Sequence, residues 1–123
     1  MEKEQYVSLE TSQLLKEKGF DWEVHRSYLV NDNVFIPGDI NDVPLRKDAI
    51  RIPTLQMAMK WLREVHGIDI SIDIRFWTDD EGVDVKSWRY TVYRTDEIED
   101  FGQSDIYEEA AEAAIKYCLE NLI

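Results

Sequence analysis

The sequence predicts a single α+β domain over residues 1–123, in which helices pack on one face of a mainly antiparallel sheet of three to five strands. Residues 68–76 alternate strictly between apolar and polar side chains, as in a strand with one buried face. Residues 55–65 and 107–122 instead repeat apolar side chains every three or four positions, which is typical of amphipathic helices. We expect the element order α-β-β-α-β-β-α.

The N-terminal half predicts one helix and one hairpin. Ser8 can cap a helix over residues 8–18, and Gly19 lies where a left-handed residue often ends a helix. Residues 22–30 have the alternation of a strand. After an Asn-Asp-Asn turn, residues 34–36 form a short returning strand.

The C-terminal half predicts a helix between Pro53 and Gly67, a hairpin over residues 68–94 and a final helix opened by a capping box of Asp105 and Glu108. Residues 95–104 are expected to form a loop. In the returning strand, two sets of apolar residues have opposite parity, which predicts a β-bulge near Lys86–Ser87. The expected core has Ile70, Ile72 and Ile74 packed against Leu62, Val92, Ala114 and Leu119.

The strongly negative charge of the chain argues against proteins that bind nucleic acids or membranes. Its 26 acidic and 14 basic residues give a net charge of −12, and 16 of the acidic residues lie after residue 61. Such a chain does not attract nucleic-acid phosphates or anionic lipids, so we expect neither direct nucleic-acid binding nor membrane binding. We expect no signal peptide and no membrane-spanning helix, and therefore a cytoplasmic protein. A single cysteine excludes an intrachain disulfide.

Few residues suggest catalysis or metal binding. The histidines, His25 and His66, fall in a strand and in the last turn of a helix, where structural roles explain them. Cys118 lies on an apolar helical stripe and is expected to be a buried, unreactive thiol. The acidic turn at residues 79–82 lacks the flanking carboxylates of an EF-hand loop. We therefore expect no catalytic residue, no cofactor and no metal site.

Two features suggest a surface that binds a protein. Trp77 has the parity of the polar side chains of its strand, so it should be partly exposed, as a contact hot spot or as a lid on the core. The second feature is one continuous exposed acidic surface, which a basic host or phage protein would complement; it is formed by Asp96, Glu97, Glu99, Asp100, Glu108, Glu109 and Glu112. The same carboxylates also suit a merely solubilising surface.

Two segments carry a family resemblance. They are Thr54-x3-Ala58-x2-Trp61-Leu62-Arg63-Glu64-x-His66-x-Ile68 and, near the C-terminus, Tyr107-Glu108-Glu109-Ala110-x4-Ile115. Both resemble blocks of small phage- or prophage-type proteins of gut Bacteroidetes, in the same order. Because that family has no assigned activity, the resemblance implies a phage or prophage setting and transfers no catalytic residue.

The sequence therefore predicts a small acidic, non-enzymatic accessory protein that binds another protein. One alternative is a small enzyme or ligand-binding domain whose site lies under residues 37–51, a stretch rich in prolines and aspartates that predicts a long loop. Another alternative is an acidic nucleic-acid mimic that inhibits a host DNA-binding protein.

Overall fold

The computed structural model describes residues 5–22, 24, 26–29, 34–37 and 49–123, and it confirms the α+β class. Two compact units, Met1–Ala58 and Met59–Ile123, are distinguished along the chain. The single domain predicted for residues 1–123 stays a prediction. Within the described ranges the elements are α1 (Leu9–Glu17), β1 (Arg26–Leu29), β2 (Val34–Pro37), β3 (Ala49–Arg51), α2 (Leu55–His66), β4 (Ile68–Thr78), β5 (Asp84–Arg94), β6 (Glu97–Ser104) and α3 (Tyr107–Asn121).

α1 forms where its cap and its apolar positions predict it. The Ser8 hydroxyl accepts a hydrogen bond from the Thr11 backbone N–H at 3.1 Å, which satisfies one of the free donors at the helix start. Leu15 is fully buried. Gly19 follows with φ of +93°, a left-handed conformation that glycine adopts without strain. The predicted helix over residues 8–18 is therefore confirmed.

The first unit contains an antiparallel sheet with the strand order β2-β1-β3. The β1–β2 pair is the hairpin that the turn signal predicts, and its register runs from Arg26 opposite Pro37 to Leu29 opposite Val34. β3 was not predicted, because a strand of three residues is too short to show a period. Most of the predicted loop at residues 37–51 lies outside the described residues.

α2 begins and ends close to the predicted positions. The Thr54 side-chain oxygen accepts a hydrogen bond from the Met57 backbone N–H at 3.1 Å, and Gly67 follows the helix with φ of +67°. Trp61 is 2% exposed, whereas Val65 is 52% exposed. The apolar repeat over residues 55–65 predicts a buried stripe that includes Val65 and has Trp61 at its edge. This prediction is wrong at Val65, because the buried face of the helix includes Trp61 instead.

β4, β5 and β6 form an antiparallel meander in the second unit. The β4–β5 ladder is regular over its whole length, so the β-bulge predicted near Lys86–Ser87 is wrong. A register shift lies instead between Val92 and Tyr93, on the side of β5 that pairs with β6. The two apolar parities need no bulge, because Val83 lies exposed in the turn and Val85 lies on the face opposite Val92.

β6 occupies residues that were predicted to be a loop. Its sequence carries five polar residues and a glycine without alternation, so periodicity does not mark it as a strand. The strand forms by pairing with β5, which places Gly102 opposite Tyr90. A Cβ atom on Gly102 would lie 2.5 Å from the Tyr90 ring, so the glycine makes room for that ring.

α3 packs on one face of the second sheet, as predicted. Val92 is fully buried on that face, and the Trp88 ring meets the Tyr107 ring edge-on with centroids 5.3 Å apart. The helix contributes a row of buried side chains: Ala110, Ala111, Ala114, Ile115, Cys118 and Leu119.

The predicted capping box of Asp105 and Glu108 is not the cap of α3. The N-cap residue is Ile106, which makes no side-chain capping bond. Ser104 organises this end instead: its hydroxyl donates to the Glu109 carboxylate at 2.8 Å and accepts from the Ile106 backbone N–H at 3.3 Å. The helix start is thus held from the last residue of β6.

Burial decreases along β4. Ile68 is 1% exposed, Ile70 and Ile72 are half-buried, Ile74 is 38% exposed and Phe76 is 71% exposed. The predicted core position of Ile74 is therefore wrong, although its face is right. The reason is that α3 covers only part of β4. Its first residue, Tyr107, already contacts Trp88, the β5 residue opposite Ile74, so the helix does not extend beyond this point.

Candidate functional site

The β4–β5 hairpin extends beyond the rest of its sheet. β6 ends at Ser104, which lies opposite Trp88, so the earlier residues of β5 pair with β4 alone within the described structure. We call this two-stranded part, residues 75–87, the ribbon end. Every residue from 75 to 84 is exposed.

The ribbon end exposes three large apolar side chains. Phe76 is 71% exposed, Trp77 is 43% exposed and Val83 is 55% exposed. Neighbouring residues of a strand point to opposite faces, so Phe76 and Trp77 lie on different faces of the hairpin. An open groove is lined by Phe76, Trp77, Thr78, Asp84, Val85 and Lys86. The predicted exposure of Trp77 is therefore found, and its role in binding stays a prediction.

Phe76 and Val83 were not predicted as surface residues. The alternation of β4 places Phe76 on the same face as the buried Ile68, and periodicity does not show where the covering helix stops. Their exposure could have been inferred from their position in the sequence, because both residues lie within a few residues of the turn at the end of a long hairpin.

The acidic turn is held by its own first carboxylate. Asp79 accepts hydrogen bonds from the backbone N–H groups of Glu81 and Val83, both at 2.9 Å. Gly82 has φ of +80°, and the Thr78 hydroxyl donates to Asp84 at 3.1 Å across the base of the turn. These bonds fix the geometry of the turn. No cluster of three or more metal-binding side chains occurs among the described residues.

The predicted acidic surface is interrupted. Asp96, Glu97 and Glu109 are exposed, whereas the other members are half-buried: Glu99, Asp100, Glu108 and Glu112. Glu99 forms an ion pair with Arg94 at 3.5 Å. One continuous exposed surface was therefore a wrong prediction.

The exposed acidic members also lie far apart. Asp96 and Glu97 follow Arg94, which donates a long hydrogen bond to the Leu122 carbonyl at the end of α3, whereas Glu109 lies on the first turn of that helix. At 1.5 Å per residue the separation along the helix is roughly 15 Å or more. Whether either group binds a protein stays a prediction.

Asp100 belongs to a half-buried polar cluster with Tyr90. It accepts a hydrogen bond from the Tyr90 hydroxyl at 2.9 Å. Burial and this bond raise the pKa of Tyr90 to about 12. Burial, with a smaller contribution from Asp100, also raises the pKa of Cys118 to about 12. Both groups are thus neutral at physiological pH, and the expectation of a buried, unreactive thiol agrees with this geometry.

Of the two histidines, the structure describes His66. His66 is half-buried in the last turn of α2, and its ring meets the Trp61 ring edge-on with centroids 4.6 Å apart. Its Nε2 atom has no hydrogen-bond partner within the described part of the chain. His25 lies outside the described residues.

Comparisons with known proteins return no relative: no protein-family model, no curated protein and no solved structure matches this chain. Within the described ranges, no helix has the length and apolar character needed to cross a membrane.

Proposed function

We propose that this chain is a non-enzymatic interaction protein that binds another protein through the ribbon end. The observation that carries the proposal is the exposure of Phe76, Trp77 and Val83 on one hairpin that extends beyond its sheet. Exposed apolar side chains grouped in this way are typical of protein contact sites, and tryptophan is frequent among their hot spots.

The partner follows from the charges around these side chains. Four carboxylates surround the turn, those of Asp79, Asp80, Glu81 and Asp84, and the whole chain has a net charge of −12. The best complement is an apolar patch bordered by lysines or arginines, which matches the basic host or phage protein expected from the sequence. The phage or prophage setting is supported by the family resemblance alone.

The ribbon end is ordered before a partner arrives. Its two strands pair in a regular ladder down to Thr78 opposite Asp84, and the Asp79 carboxylate fixes the turn. Pre-ordering lowers the entropy that binding costs, so a small contact area can support a specific complex.

The other two functions receive less support. A nucleic-acid mimic needs carboxylates at phosphate-like spacing along one face, and here the exposed ones fall into separate groups while Asp100 is already hydrogen-bonded. The enzyme alternative was placed under residues 37–51, of which residues 38–48 lie outside the described ranges.

Affinity capture from a host lysate tests the proposal with matched variants. Trp77→Ser and Val83→Ser together should abolish capture of the partner, because both contact side chains are removed from already exposed positions. Val65→Ser and Phe101→Ser serve as controls, since they remove side chains of similar exposure, 52% and 61%, outside the ribbon end.

Equal melting temperatures for all variants would show that the fold is intact. If the ribbon-end variant captures the same proteins as the wild type while the controls lose them, the binding surface lies elsewhere. A partner captured through charge should also dissociate as salt rises.

A further inference from the structure

We propose that two copies of this chain pair their β4 strands in antiparallel fashion and so join their second-unit sheets into one. β4 lies at the edge of its sheet, and among the described residues it pairs with β5 alone. The backbone N–H and C=O groups along a free edge are a template for a further strand. This contact shares Arg75 and Phe76 with the ribbon end but leaves Trp77 and Val83, the residues on which the partner contact is tested, outside the paired segment.

The sequence of β4 is complementary to itself around Ile72. A two-fold axis at Ile72 places Asp69 of one copy opposite Arg75 of the other, and the symmetry repeats this pair. Ser71 then lies opposite Asp73. Opposite charges directly across antiparallel strands stabilise the pairing, so this alignment gains two such pairs.

Three neighbouring alignments place like charges against each other, and an axis at Ile70 brings no opposite charges together within β4. An axis at Ser71 sets Asp69 opposite Asp73, and an axis at Asp73 sets that residue against its own copy. An axis at Ile74 pairs Asp73 with Arg75 but brings Asp69 next to Asp79, the first residue of the turn that follows β4. Of these five alignments, the one at Ile72 alone combines opposite-charge pairs with no like-charged pair.

The same alignment covers the exposed apolar half of β4. Ile74, 38% exposed, comes to lie opposite Ile70 of the second copy, and Phe76, 71% exposed, opposite Ile68. In each copy, α3 covers the half of β4 that contains Ile68 and leaves the half that contains Ile74 and Phe76 exposed. The exposed half of β4 in one copy therefore pairs with the covered half of β4 in the other. Apolar surface is thereby removed from water where the chain's own helix does not reach.

The dimer takes up Phe76 but leaves the other two apolar side chains of the proposed partner contact available. Trp77 and Val83 lie outside residues 68–76, the segment that pairs around Ile72. A variant that abolishes dimerisation should therefore still capture the partner, and the Trp77→Ser and Val83→Ser double variant should still dimerise. Each proposal can fail without the other.

Sedimentation velocity of the full chain over a concentration series tests the dimer. The wild-type chain should dimerise, and Arg75→Glu should weaken dimerisation about tenfold or more, because it turns two attractive pairs into repulsive ones. The double variant Asp69→Arg with Arg75→Glu restores opposite charges and should restore the dimer. Arg63→Glu makes the same charge change at an exposed position of α2 and should leave it unaltered.

Single cysteines locate the two-fold axis. Residues paired directly across antiparallel strands have Cα atoms about 4.5–5.5 Å apart, a distance that a disulfide bridges. Ile72→Cys should therefore form a disulfide-linked dimer on oxidation, and Ile70→Cys should not. A monomeric wild-type chain, an Arg75→Glu variant that dimerises normally, or equal cross-linking of the two cysteine variants would each overturn the proposal.

Discussion

Burial turns the thiol of Cys118 into a group that resists ionisation. Its pKa is raised from an ordinary value of 9.0 to about 12, chiefly because the side chain is buried. In the unfolded chain the thiol ionises near its ordinary pKa, so the folded state holds the proton more tightly. The contribution of this protonated thiol to the free energy of unfolding is fully present below pH 9 and is lost as the pH rises towards 12.

The free energy of unfolding should therefore fall between pH 9 and pH 12, and Cys118→Ala should make that fall shallower. Alanine cannot ionise, and the remaining contribution from Tyr90, whose pKa is raised from 10.0 to about 12, begins near pH 10. Urea unfolding at a series of pH values measures both curves. Parallel curves for the variant and the wild type would contradict a linkage through this thiol.

Helices and strands with a long run of regular apolar spacing or a clear capping residue could be predicted from the sequence. Strands that form only because they pair with another strand could not. Ser8 and Gly19 mark α1, and alternation marks β4. β6 lacks such a signal, and its Gly102 is explained only by the ring of Tyr90 on the adjacent strand. The sequence of one strand does not show which side chains of a neighbouring strand will pack against it.

The turn of the β4–β5 hairpin depends on one carboxylate of its acidic group. Asp79→Ala should lower the free energy of unfolding by about 0.5–1.5 kcal/mol, because the backbone N–H groups of Glu81 and Val83 lose their acceptor. Asp80→Ala removes the same charge from the neighbouring position and should have a smaller effect, within about 0.5 kcal/mol. Chemical denaturation compares the two. Equal losses would mean that charge, and not the hydrogen bonds, sets the stability of the turn.

For the molecule as a whole, the α+β class and the position of α3 on one sheet face followed from periodicity. The extent of the core did not, because alternation assigns Ile74 and Phe76 to a face without showing how far α3 extends over it. The exposure of Trp77 agrees with its parity, but Phe76, which has the apolar parity, is more exposed still, because both residues lie near the end of the hairpin. Asp100 was misplaced because a carboxylate that accepts a hydrogen bond from Tyr90 cannot be recognised from the sequence.

The net charge of −12 should make the stability of the whole chain sensitive to salt. Repulsion among like charges opposes a compact state, and the screening length shortens from about 30 Å at 0.01 M to about 8 Å at 0.15 M salt. We expect the melting temperature to rise by a few degrees over this range. The effect should shrink near pH 4.5, where the net charge approaches zero. A melting temperature that falls with added salt would show that attractive ion pairs dominate.

The meander of β4, β5 and β6 also bears on how the second unit folds. Each strand of this sheet is hydrogen-bonded to its neighbour in sequence, through the short connections at residues 79–83 and 95–96. Little chain entropy is lost in closing such short loops, so these hairpins form without a long-range search. In the first unit, β1 must instead find β3 across the 19 residues from 30 to 48. We therefore expect the meander to form before β1 pairs with β3.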